Sequence, residues 1–123
     1  MQTLSNLERS VILHLAENMG DENWRNELKS QLNNSIVSNR TDKAGGGYYV
    51  DFLCSKAPPL TLPPANPLEM DVLSPDGKNR IFFHLYFNDD GLISFMELSS
   101  TGDWPEDENL IGINRGSRHS APP

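Results

Sequence analysis

Three histidines, one cysteine and a run of carboxylates are the residues of this 123-residue chain that could carry chemistry. His14, His84 and His119 have no acid or second histidine at ligand spacing, so neither a metal site nor a general base is expected from them. Cys54 ends a run of alternating apolar residues and reads as a buried, inert thiol rather than a nucleophile. As the only cysteine it also excludes an internal disulfide and any multi-cysteine zinc site. Asp89-Asp90-Gly91 has the outline of a calcium loop. Such a loop needs further oxygen ligands and a closing glutamate, and the residues that follow supply only Glu97, so a hairpin turn is the better reading. Gly45-Gly46-Gly47 lacks the lysine and the following helix of a phosphate loop and reads as a flexible turn. A hydrolase could use Glu97 with Asp103, but nothing in the sequence sets their separation. The chain is therefore expected to lack catalytic residues, cofactor and metal, and not to be an enzyme.

The carboxylates matter more for where they lie. The stretch Ile81 to Asn114 contains no lysine and no arginine but holds Asp89, Asp90, Glu97, Asp103, Glu106, Asp107 and Glu108. The rest of the chain balances its acids and bases, so the whole net charge of -7 comes from this one stretch. An acidic surface of this kind serves solubility, or it serves as a docking face for a basic partner, because complementary charge speeds encounter. Trp104 stands inside the same segment. Tryptophan is frequent among the residues that dominate interfaces, and it is equally suited to pinning a loop onto a sheet edge. The two roles are compatible, since a pinned loop is a preorganised docking element.

The elements that must position these residues are legible from period and caps. Ser5 and Glu8 form a capping box, and Leu7, Val11 and Leu15 follow at helical spacing. Gly20 is expected to end that helix in a left-handed conformation, and Asp21 to cap a second one carrying Trp24, Leu28 and Leu32. The predicted helices span 6–19 and 22–33. Ile36-Val37 suggests a short strand. Val50, Phe52 and Cys54 alternate on one face of another. The five prolines between Ala57 and Pro67 require an extended loop. Leu68, Met70 and Val72 alternate with acids. Ser74-Pro75-Asp76-Gly77 and Asn88-Asp89-Asp90-Gly91 are turns flanking a strand whose inward residues are Ile81, Phe83, Leu85 and Phe87. A further strand covers Leu92 to Leu98, completing a three-strand meander. Leu110 to Ile113 is expected to add an edge strand, and the outward Phe82, Tyr86 and Tyr49 to lie under the proline-rich loop.

Helices first and strands afterwards give an α+β fold: an N-terminal helical hairpin packed on one face of an antiparallel sheet. One domain over 1–114 and a flexible tail over 115–123 are expected. Apolar residues make up 37% of the chain, enough at this length for a core without metals or disulfides. The negative balance argues against nucleic acid as a partner. Glu8, Arg9, His14 and Glu17 interrupt the apolar positions of the first twenty residues, and no apolar run approaches the length of a membrane span. With one cysteine and no export signal, a cytoplasmic setting is expected.

The stretch LEMDVLSPDGKNRIFFHLYFNDDGLISFMELSSTGDWPED, Leu68 to Asp107, resembles small bacterial immunity proteins, the antidotes of contact-dependent growth inhibition and related polymorphic toxin systems. The shared features are an α+β domain of this size, an acidic balance, and a hairpin ending in D-G-x-I-S-x-M-E-L before a W-P loop. The resemblance covers about a third of the chain. It implies a cytoplasmic protein that binds one cognate toxin domain, often a nuclease, and blocks it. On this reading Asp89, Asp90, Glu97, Asp103, Trp104, Glu106, Asp107 and Glu108 are the partner-binding residues. The alternative is a non-enzymatic accessory or ligand-binding domain whose acids serve solubility.

Overall fold

The computed structural model describes residues 2–55, 57–60 and 65–119. Two helices, α1 (Asn6–Glu17) and α2 (Glu22–Asn33), precede a sheet of β1 (Ser35–Asp42), β2 (Gly47–Cys54), β3 (Leu68–Leu73), β4 (Arg80–Phe87), β5 (Ile93–Ser100) and β6 (Arg118–His119). The strand order is β1-β2-β5-β4-β3-β6, and every neighbouring pair is antiparallel. The fold is α+β.

Both helix starts follow from their caps. The Ser5 hydroxyl accepts the Glu8 amide while the Glu8 carboxylate accepts the Ser5 amide, and Asp21 accepts from the Trp24 amide. The end of α1 differs from expectation. Asn18 forms its C-cap, with the side chain reaching back to the His14 carbonyl, and Gly20 is not among the glycines with positive φ.

Val11, Ile12, Ala16 and Leu28 from the helices join Val50, Val72, Ile81, Phe83, Leu85, Met96 and Leu98 from the strands in one buried cluster. Strand alternation places the sheet residues inward, with two breaks in phase. In β1, Ser38 drops out of the pairing with β2, and in β5, Ser94 drops out of the pairing with β4. Each bulge shifts the period by one residue. That is why Ile93 and Met96 both face the core, and why Arg40 turns to the side of Val37.

Gln31 ties α2 to the β4–β5 turn. It is fully buried, its Nε2 donates to the carbonyls of Gly91 (2.9 Å) and Pro58 (3.1 Å), and its Oε1 accepts from the Ile93 amide (2.8 Å). Gly91 has φ 77°, and a Cβ there would lie 2.2 Å from the Leu60 carbonyl oxygen. Only glycine fits between Leu60 and the turn.

Two expectations are corrected, and a third, the covering of the outer aromatics, falls partly outside the described residues. The described parts of the proline-rich segment are 57–60 and 65–67. Leu60 is in the core and bonds to Gly91, while residues 61–64 lie outside the described residues. Tyr49, Phe95 and Tyr86 pack on one another, with ring centroids 5.5 and 5.7 Å apart. The stretch Leu110–Ile113 is not a strand: a short 3-10 helix over Glu108–Leu110 leads into turns, with Ile111 buried. Residues 115–119, read as loose tail, dock as β6 on β3, with Arg118 on Asp71 and the Arg115 carbonyl accepting from Leu73. Residues 120–123 lie outside the described residues.

Replacing Gln31 with leucine leaves the buried Ile93 amide without its acceptor and takes one donor from the Pro58 and Gly91 carbonyls, the latter keeping the Leu60 amide. The expected loss is about 3 kcal/mol in urea unfolding. A change under about 1 kcal/mol would show that the amide network contributes nothing net.

Candidate functional site

The antiparallel sheet divides the acidic stretch. Asp89 and Asp90 sit exposed in the β4–β5 turn, at one end of β5. Asp103, Glu106, Asp107 and Glu108 follow β5 at its other end. The eight residues of β5 separate the two groups by roughly 24 Å. Glu97 lies between them on the outer face, with Lys43 Nζ at 2.5 Å and His84 Nδ1 at 4.0 Å. One contiguous run in sequence thus becomes two separate acidic ends and one neutralised strand position.

The second end forms a groove. The β3–β4 turn contributes Ser74, Pro75, Asp76 and Asn79. The segment after β5 contributes Asp103, Trp104, Pro105, Glu106, Asp107 and Leu110. The groove encloses about 440 Å³. Among the described residues, none of Asp76, Asp103, Glu106 and Asp107 takes part in an ion pair, whereas Glu8, Asp71 and Glu97 all do. The Ser74 hydroxyl (2.6 Å) and the Lys78 amide (2.9 Å) hold the Asp76 carboxyl below its ordinary range. Leu110 stands among these acids 64% exposed, the most open large apolar side chain among the described residues.

Trp104 is pinned rather than free. Its indole N–H donates to Glu108 Oε2 at 3.1 Å, and its ring meets Tyr48 edge-on at 5.7 Å. Tyr48 leads to Glu8, whose carboxylate is entirely buried. Arg40 grips that carboxylate with two bonds of 2.8 Å, and the Tyr48 hydroxyl donates to it at 3.2 Å. Burial by itself would raise the Glu8 pKa, but Arg40, the Ser5 amide and Tyr48 outweigh it and hold the group ionised below its usual value. Burial pushes the Tyr48 phenol far above its usual range, and the charges of Glu8 and Glu108 add to that. The loop is therefore fixed from the core outward, through Glu8, Tyr48, Trp104 and Glu108.

Sequence reading missed two constellations. His14 on α1 and His119 on β6 meet with their Nε2 atoms 3.1 Å apart, which corrects the expectation that no histidine has a second one near it. Their separation by 105 positions leaves no signal in spacing. Burial holds both imidazoles below their ordinary pKa, with Glu17 opposing this at His14 and His14 itself adding to it at His119. His84 lies between the carboxylates of Glu69 (3.5 Å) and Glu97 (4.0 Å). Among the described residues no group of three or more histidine, cysteine or acidic side chains comes together as a metal-ligand set, and no helix is long and apolar enough to cross a membrane. Cys54 is half-buried, its thiol on the Gln31 carbonyl at 3.6 Å.

No family model, curated protein or solved structure matches this chain.

Because the folded pKa of Glu8 is depressed, its contribution to stability is full above the ordinary carboxylate value of 4.5 and is lost as pH falls through the folded value. Glu8→Gln is expected to cost about 3 kcal/mol at neutral pH, by leaving Arg40 without its buried partner. It should also flatten the acid limb of the stability–pH curve below pH 4.5. Equal acid limbs in the two proteins would show that Glu8 is not the group whose protonation weakens the fold.

Proposed function

We propose that this chain is an immunity protein that binds a cognate toxin domain and neutralises it without turnover, in the cytoplasm. The observation that carries this is the groove: carboxylates of Asp76, Asp103, Glu106 and Asp107, which make no ion pair among the described residues, surround the exposed Leu110 beside Trp104 and Pro105. A nuclease toxin has a basic cleft for its substrate. Carboxylates presented on a fixed loop fit such a cleft in place of phosphates, and an apolar side chain among them supplies the desolvated centre of an interface. The resemblance of Leu68–Asp107 to immunity proteins supports the same reading. In this arrangement the helical hairpin backs one face of the sheet and the meander β3–β4–β5 presents the groove at its end. Asp89 and Asp90, at the other end, fall outside this contact, because a partner would have to span the sheet to reach both ends.

The test is rescue of growth. The candidate toxin to test is the C-terminal domain of whatever protein the adjacent upstream gene encodes, expressed in a host with this chain supplied in trans. Wild type is expected to restore growth. Reversal of three groove charges (Asp103→Lys, Glu106→Lys, Asp107→Lys) should abolish rescue while the circular dichroism spectrum is unchanged. Asp89→Lys with Asp90→Lys should rescue as wild type does. Rescue that survives the groove reversal but fails with the Asp89/Asp90 pair would move the docking face to the far end of the sheet. Absence of rescue by wild type would reject immunity against that toxin and favour an acidic surface that serves solubility.

A further inference from the structure

We propose that His14 and His119 form a binding site for a borderline divalent transition-metal cation such as Zn²⁺, with both Nε2 atoms as ligands and water in the remaining positions. The two rings come from elements that are anchored independently. His14 lies on α1, whose buried stripe includes Val11 and Leu15, and His119 pairs with Met70 across the β3–β6 ladder. The nitrogens are thus held in place by the fold rather than by each other, which is what a preorganised site requires.

Their geometry fits one shared ion. Metal–nitrogen bonds of about 2.0–2.1 Å that span the observed 3.1 Å subtend roughly 98°, between octahedral and tetrahedral ligand angles. The ring centres are 4.8 Å apart, farther than the nitrogens, and the ring planes lie 22° from parallel. In two imidazoles converging on one ion, each ring centre lies roughly 1.1 Å behind its nitrogen, so the centres stand about 1.5 times as far apart as the nitrogens. The observed 4.8 Å against 3.1 Å has that ratio. His119 is exposed and His14 half-exposed, so the gap between them is open to an ion from solvent. Glu17 acts on His14, and both His14 and Asp71 act on His119, with Asp71 itself paired to Arg80 and Arg118; the two acids favour a cation and the neighbouring imidazole opposes a second proton. Imidazole nitrogen selects zinc, copper or nickel over magnesium or calcium. Bound metal would join the first helix to the last strand.

The experiment titrates the full chain with ZnCl₂ by calorimetry and follows the histidine ¹⁵N resonances. The expected result is one Zn²⁺ per chain with micromolar affinity and a shift of Nε2, not Nδ1, in both His14 and His119. His14→Ala and His119→Ala should each weaken binding at least tenfold, and His84→Ala should leave it within twofold. Zinc should also raise the melting temperature of wild type but not of His119→Ala. The resonance shifts in wild type keep the test decisive if a variant fails to fold. A simple hydrogen bond between the rings would give no binding up to millimolar zinc, and that result overturns the proposal. So does binding that survives loss of either histidine, or a stoichiometry of one metal per two chains.

Discussion

A single buried carboxylate, Glu8, holds together the parts of this fold that present its acidic loop. It closes the cap of α1, fixes Arg40 of β1 and receives the hydroxyl of Tyr48 of β2. A charge in the interior is costly unless its lone pairs are filled, and here every direction around the carboxylate is occupied. Tyr48 then offers its ring to Trp104, and Trp104 its N–H to Glu108. The side chain that looks most like a free interface anchor in the sequence is thus the outer end of a chain of contacts that begins in the core. What remains open at the surface is Leu110 and the carboxylates around it.

The sheet decides which acids are available. On its outer face the charges are matched: Glu97 with Lys43, and Asp71 with both Arg80 and Arg118. Part-buried pairs of this kind add modest stability, and they offset the charge of those carboxylates. At the groove Asp76, Asp103, Glu106 and Asp107 stand without ion-pair partners among the described residues, so their charge is not offset there. The net charge of -7 is therefore unevenly expressed in space, even though one run of sequence carries all of it.

Much of this is legible in the sequence. Ser5–Glu8 and Asp21 announced the helix starts because capping is local chemistry. The alternation Ile81, Phe83, Leu85, Phe87 announced the inward face of β4 because nothing interrupts its period. Reading failed where long-range contacts override local pattern. The bulge at Ser38 turns Arg40 toward Glu8, and no spacing rule foresees a skipped residue. Residues 115–119 are polar and read as tail, yet β3 offers them an unpaired edge and Asp71 a charge. Leu110-Ile111-Gly112-Ile113 has the composition of a strand, but Asp107 caps a 3-10 turn instead, so Ile111 is buried and Leu110 is left outside. The acidic residues were found by counting. Their division into two ends was not, because it depends on the length of β5.

The most direct measurement is a hydrogen-exchange footprint of this chain, free and in complex with the proposed partner, the C-terminal domain of whatever protein the adjacent upstream gene encodes. Docking at the groove predicts slowed exchange at the amides of 76–79 and 106–110, with the outer-face amides of β4 and β5 unchanged. Protection confined to the helices, to the Asp89–Asp90 turn or to the Tyr49–Phe95–Tyr86 face, with the groove amides exchanging as in the free protein, would contradict the account.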